Sequence, residues 1–119
     1  MKLYTRKQFL ALPSGVIFTK EDANIDCFQI KGNTRGENDF NCKPFISLNS
    51  NLFEDHFDAV LDFRIRGEAN ADFSDWYRDG LYEDDEMFVI LERHEVCALI
   101  ASIEETLVEG YPVTGGTFA

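Results

Sequence analysis

The chain predicts an α+β fold: an antiparallel sheet of about four strands with helices packed on one face. Residues 52–65 and the stretch after Glu92 repeat apolar side chains at helical spacing, while four other runs have the length and the β-branched or aromatic content of strands. With 119 residues, 45% of them hydrophobic and eleven of them Phe, a single core can form without disulfides or metal. Phe is its main candidate, since each aromatic ring buries a large area.

Taken in order, residues 5–12 read as a short helix. Thr5 is the candidate N-cap, Gln8 its capping-box partner, and Pro13-Ser14-Gly15 the stop. Residues 16–20 and 25–31 are strand-like and joined by the polar turn 21–24, so a hairpin is expected. Residues 32–39, rich in Gly, Asn and charge, read as a loop. Residues 40–48 alternate Phe40, Cys42, Pro44, Ile46 and Leu48 on one face, and Pro44 places this strand at an edge or breaks it.

In residues 52–65, Phe53, Phe57, Val60, Leu61 and Ile65 form an apolar stripe opposite Glu54, Asp55, Asp58 and Asp62, with Gly67 as the stop. Residues 68–86 lack periodicity and read as a long ordered loop, pinned by Phe73, Trp76, Tyr77, Leu81 and Tyr82. Residues 87–91 form a continuous apolar run, as a central strand does. The last helix starts at or just after Glu92, carries Val96, Leu99, Ile100, Ile103 and Leu107 on one stripe, and ends near Gly110. Both long helices are expected on the same sheet face through Phe57, Leu61, Leu99 and Ile103. Residues 1–112 form one domain, and 113–119 a flexible tail.

Charge is distributed unevenly. Residues 54–86 hold twelve acidic residues against three arginines, a net −9 within 33 positions of a chain whose total is −11. Such a block repels nucleic acid and anionic lipid and attracts cations or basic protein surfaces. Crowded carboxylates raise one another's pKa, so the charge alone predicts a fold that gains stability on mild acidification. Cys27, Cys42 and Cys97 include no CxxC pair, no charged-then-apolar leader opens the chain, and no apolar run reaches membrane-spanning length. A cytoplasmic protein with reduced thiols is expected, with a Cys27–Cys42 bridge open if the two face each other on adjacent strands.

Chemistry-bearing patterns are weak. Asp55, Asp58 and Asp62 share one helix face at spacings of three and four. Glu83-Asp84-Asp85-Glu86 offers oxygen ligands but lacks the spacing of a calcium loop. His94 and Cys97 have no second pair to complete a zinc site. Residues 32–36 match neither a phosphate-binding nor a dinucleotide-binding glycine pattern. No catalytic residue, cofactor or metal is therefore assigned.

The opening Thr5-Arg6-Lys7-Gln8-Phe9-Leu10-Ala11-Leu12-Pro13-Ser14-Gly15 and the segment Arg78-Asp79-Gly80-Leu81-Tyr82-Glu83-Asp84-Asp85 resemble small acidic proteins that recur in phage and prophage genomes. The resemblance implies a mobile-element origin and supplies no activity to carry over. The expected function is a non-enzymatic interaction protein whose acidic middle binds a basic protein surface, for example as an inhibitor or DNA mimic acting on a host nucleic-acid enzyme. The residues expected to meet that partner are Asp55, Asp58, Asp62, Asp75, Trp76, Tyr77, Asp79, Glu83, Asp84 and Asp85. No nucleic acid or membrane is expected as partner, and a homodimer stays open. Two alternatives stand: a carboxylate-based metal or acid–base enzyme drawing on Asp55, Asp58, Glu83, Asp85 and His56, and a self-associating structural domain.

Overall fold

Thr5 caps the first helix as its sequence implies. Its hydroxyl accepts from the Gln8 N–H at 3.2 Å and the Gln8 side chain accepts from the Thr5 N–H at 2.9 Å, in a computed structural model that describes residues 1–22, 27–81 and 83–111. This cap closes strand β1 (Lys2–Thr5) and opens α1 (Arg6–Leu10). Then follow β2 (Ile17–Lys20), β3 (Gln29–Arg35), β4 (Asp39–Pro44), β5 (Ser47–Leu48), α2 (His56–Arg66), β6 (Ala71–Asp72), β7 (Tyr77–Arg78), β8 (Met87–Ile90) and α3 (Arg93–Gly110). Six strands form one antiparallel sheet in the order β1-β8-β2-β3-β4-β7, and β5 pairs with β6 in a separate two-stranded sheet.

The fold is α+β, and its sheet is larger than four strands for identifiable reasons. β1 lies in a charged N-terminal segment with no alternation to announce it. The expected loop at 32–39 is mostly strand: β3 runs through Arg35 and β4 begins at Asp39, with a register shift between Lys31 and Thr34. The chain breaks after Pro44, as the missing donor requires, so β5 leaves the main sheet. The segment 68–86 contributes β6 and β7. The apolar run ending at Ile90 is central, between β1 and β2.

The pairing puts Phe18, Phe88 and Ile90 on one face with Phe40 and Cys42. Phe9 of α1 drops onto this face and contacts three rings: Phe88 stacked at 4.1 Å, Phe18 at 4.8 Å and Phe40 edge-on at 4.9 Å. Lys31 lies fully buried on the same face. Its Nζ donates to the Leu12 carbonyl at 3.0 Å, to the Gly32 carbonyl at 3.1 Å and to the Thr34 hydroxyl at 3.0 Å. It therefore serves the carbonyl end of α1, where a cation is favourable, and burial lowers its pKa from the usual 10.5.

The two long helices depart from the expected packing. α2 starts at the Asp55 cap and ends at Gly67 in the left-handed region at φ 76°, yet only Ala59 of it is buried and Phe57 is 68% exposed. α3 buries no residue, and Ile103 is 58% exposed. The core is closed by α1 and four Phe rings, so Phe57, Leu61 and Ile103 are not its members and Leu99 is only half-buried. Periodicity reported an apolar face without reporting what would cover it. No disulfide joins the cysteines: Cys42 is buried while Cys27 and Cys97 are exposed, and Cys97, beside the apolar stripe of α3, is not a core residue. The tail 113–119, the 23–24 part of the polar turn and the Tyr82 anchor lie outside the described residues.

Candidate interaction surface

The acidic segment starts with helix α2. Asp55 accepts the Asp58 N–H at 2.8 Å as the N-cap, and both carboxylates are exposed beside the positive end of the helix dipole. Asp62 is half-buried and lies 3.5 Å from Arg66 one turn on, so one member of the stripe already has a partner.

Beyond α2 the chain runs along the sheets as an edge. Asp72 accepts from the Ser74 N–H and hydroxyl at 2.9 and 3.1 Å, and exposed Asp75 accepts from Ser47 at 3.3 Å. Trp76, half-exposed, lies over Gly32, where a Cβ would come within 2.8 Å of the indole; only Gly allows that approach. The Lys43 ammonium sits 5.0 Å from the indole centroid. Tyr77 pairs with Cys42 in β7 and its hydroxyl donates to Gln29. Burial, with the neighbouring Cys42, pushes the Tyr77 hydroxyl pKa well above its usual 10, and burial pushes the Cys42 thiol up to about 11, so both stay protonated at neutral pH.

Asp79 changes the reading of this segment. Its carboxylate is largely screened from solvent, as is that of Glu86, and both are held by two cations: Arg6 lies 3.3 Å from Asp79 and 2.9 Å from Glu86, and Lys20 lies 2.8 and 3.2 Å from the same two. Arg6 is 2% exposed, also donates to the Asn38 carbonyl at 2.5 Å, and spreads over the Phe40 ring at 5.6 Å. Its Nε finds no acceptor among the described residues. Asp79 is therefore a structural anchor and not a partner-facing residue. Arg6 and Lys20 were not singled out by sequence. The legible signal is that Arg6 and Phe9 are three apart, which puts both on the core side of α1.

Asp39 is the most deeply buried carboxylate among the described residues. Its Oδ1 accepts from the Phe40 and Gly80 N–H groups, both at 2.9 Å, and its Oδ2 lies 2.7 Å from Arg78 Nε in an ion pair lacking hydrogen-bond alignment. Burial alone pushes this carboxyl up. The two N–H donors and the Arg78 and Arg6 charges outweigh burial and hold its pKa below the ordinary 3.8. Glu95 is likewise held below 4.5, chiefly by the hydrogen bond from the Met1 amino group. A depressed carboxyl stabilises the fold above its unfolded pKa and loses that contribution as pH falls through its folded one. These two carboxyls act against the gain on acidification that the charge alone predicts, and where they dominate the melting temperature should fall between about pH 5 and pH 3. A rise in that interval, read by circular dichroism, would show repulsion among the acids outweighing these pairs.

After Gly80 the chain turns through exposed Glu83, Asp84 and Asp85. Asp84 borders a depression with Arg6, Lys7, Leu10, Glu37 and Asn38, at the α1 end of the main sheet. Asp62 borders a different one, with Asn49, Asn51 and Arg66. The acidic segment is thus divided between α2 and the turn leading into β8. Asp55, Asp58, Glu83, Asp85 and His56 do not form a metal-ligand cluster. Among the described residues the one group with such spacing is Glu92, His94 and Glu95, within 4.8 Å, where Met1 and Lys2 already pair with the carboxylates. An open apolar groove of about 610 Å³, lined by Ile17, Phe28, Phe45, Leu91 and Leu99, includes none of the predicted residues. No described helix is long and apolar enough to cross a membrane. Comparison with protein-family models, curated proteins and solved structures finds no match for the chain.

Proposed function

We propose that the chain is a non-enzymatic interaction protein of phage or prophage type, whose acidic segment docks on a basic protein surface. The supporting observation is what stays outside once Asp79 and Glu86 are withdrawn into the sheet. Asp55, Asp58, Asp75, Glu83, Asp84 and Asp85 remain exposed on the two parts of the segment, and Asp75 directly precedes half-exposed Trp76 and Tyr77, the latter on edge strand β7. Charge of one sign steers a basic partner, and the aromatic pair supplies area that charge cannot. A nucleic-acid-binding site is one such basic surface, and an inhibitor or DNA mimic is the concrete form of this reading.

The test is capture on the immobilised full chain from host lysate at about 0.05 M and 0.2 M salt, a range over which the screening length is halved to about 7 Å. The expected capture is a DNA- or RNA-binding protein that duplex DNA displaces. It should be lost at the higher salt and on the triple change Glu83→Gln, Asp84→Asn, Asp85→Asn combined with Asp55→Asn and Asp58→Asn. Capture indifferent to salt, to DNA and to these substitutions would refute the reading.

A further inference from the structure

The register shift between β3 and β4 sets two residues, Gly32 and Asn33, opposite the single residue Asn41. A bulge of this kind re-aims side chains, and bulges recur beside functional sites. Here it acts on the face of the sheet turned away from the Phe core. Gly32 and Asn41 lie on that face, because their neighbours Lys31 and Cys42 are buried on the core side. The Trp76 indole comes down on the glycine: a Cβ at Gly32 would lie 2.8 Å from the ring and 3.0 Å from the Asn41 Cβ. Together with Ser14, from the stop of α1, these residues line a depression of about 350 Å³.

Its chemistry stands out from the rest of the surface. None of Ser14, Gly32, Asn33, Asn41 and Trp76 is charged, on a chain that is 28% charged and totals −11. Trp76 is 46% exposed, and the side-chain amides of Asn33 and Asn41 make no hydrogen bond among the described residues. The Ser14 hydroxyl makes a long one, to the Lys31 carbonyl at 3.5 Å. Each amide and the hydroxyl can both donate and accept. An anion finds no cation in this lining and is repelled by the net charge. A cation finds no carboxylate. A wholly apolar ligand would strip water from the amides without replacing its hydrogen bonds. The complement is an uncharged molecule with a flat apolar face and hydroxyls around its edge.

We infer that this depression binds the pyranose ring of a neutral sugar. The C–H face of the ring packs on the indole, and its hydroxyls exchange hydrogen bonds with Asn33, Asn41 and Ser14. Gly32 is the residue that makes the arrangement possible, since a side chain there would push the indole away from Asn41. One ring and three hydrogen-bonding side chains make a small site, for which dissociation constants of about 1–10 mM are expected. The depression shares only Trp76 with the surface proposed for a basic partner.

Trp76 is the single tryptophan of the chain, so its emission reads the depression directly. The experiment titrates the full chain with the methyl glycosides of glucose, galactose and mannose and with N-acetylglucosamine. Sorbitol, which has hydroxyls but no ring, and cytidine, which has a base to stack, are the contrasts. A saturable change in emission is expected with at least one of the sugars, and no saturation with sorbitol. The affinity should be the same at about 0.05 and 0.5 M salt, since a neutral ligand is not screened. Asn33→Ala should weaken it about three- to tenfold and leave the melting temperature unchanged, because Asn33 is exposed and unbonded. Saturation-transfer NMR should show magnetisation reaching the C–H protons of the sugar ring, and Trp76→Ala should abolish it. Glu83→Gln with Asp84→Asn and Asp85→Asn should leave sugar binding intact while weakening capture of a basic partner, so the two readings fail separately. No saturable response to any of these sugars, an equal response to sorbitol, tighter binding of cytidine, or binding that Asn33→Ala leaves unchanged overturns the proposal.

Discussion

Phe9→Ala is expected to lower stability by about 3–5 kcal/mol, the range for truncating a fully buried aromatic side chain. Phe9 is the ring through which α1 holds the sheet: it stacks on Phe88 and touches Phe18 and Phe40, and all four are at most 1% exposed. Removing it takes away transfer free energy and leaves a void bounded by three rings on rigid strands that cannot collapse into it. A domain of this size has only about 5–15 kcal/mol in total. The melting temperature should therefore fall by roughly 10–20 °C. Ile103→Ala, on the exposed face of α3, serves as the contrast: it should change stability by less than about 0.5 kcal/mol, as surface substitutions usually do. Equal losses at the two positions would mean that the core has been misplaced.

The second large effect is expected at Arg6. Arg6→Met keeps the apolar stem over Phe40 and Phe88 and removes the charge that Asp79 and Glu86 face. Breaking a buried pair by removing one partner costs about 3–5 kcal/mol, because the remaining charge has neither water nor a counter-ion. Lys20 still contacts both carboxylates, so a loss near 3 kcal/mol is expected. The combination Arg6→Met with Glu86→Gln should cost less than the two single changes added together, since each single change strands what the double one neutralises. Thermal melts of the four chains give the coupling directly. Strict additivity would mean that Arg6 and Glu86 do not interact.

Both predictions concern residues that local pattern reached unevenly. The Thr5–Gln8 capping box was legible because it depends on residues three apart in one turn. So were the breaks at Pro44 and Gly67, where a missing N–H and a left-handed backbone act on the chain locally. The central position of residues 87–90 followed from an unbroken apolar run, which only a strand buried on both faces tolerates. Local sequence also determined the charge: −9 over residues 54–86 is a property of composition.

What the charge does was decided by tertiary structure. Asp79 and Asp75 are alike in sequence, four apart in one acidic loop, yet one faces Arg6 and Lys20 across the sheet and the other stays at the surface. Their difference depends on partners 59 to 73 positions away in the chain, beyond the reach of any local window. The long helices show the same limit. Spacing established that α2 and α3 have apolar faces, but a face is buried only if something lies against it, and α1 with the four Phe rings already closes the core. Much of the stripes of α2 and α3, including Phe57, Ile65, Ile103 and Leu107, is therefore left facing outward.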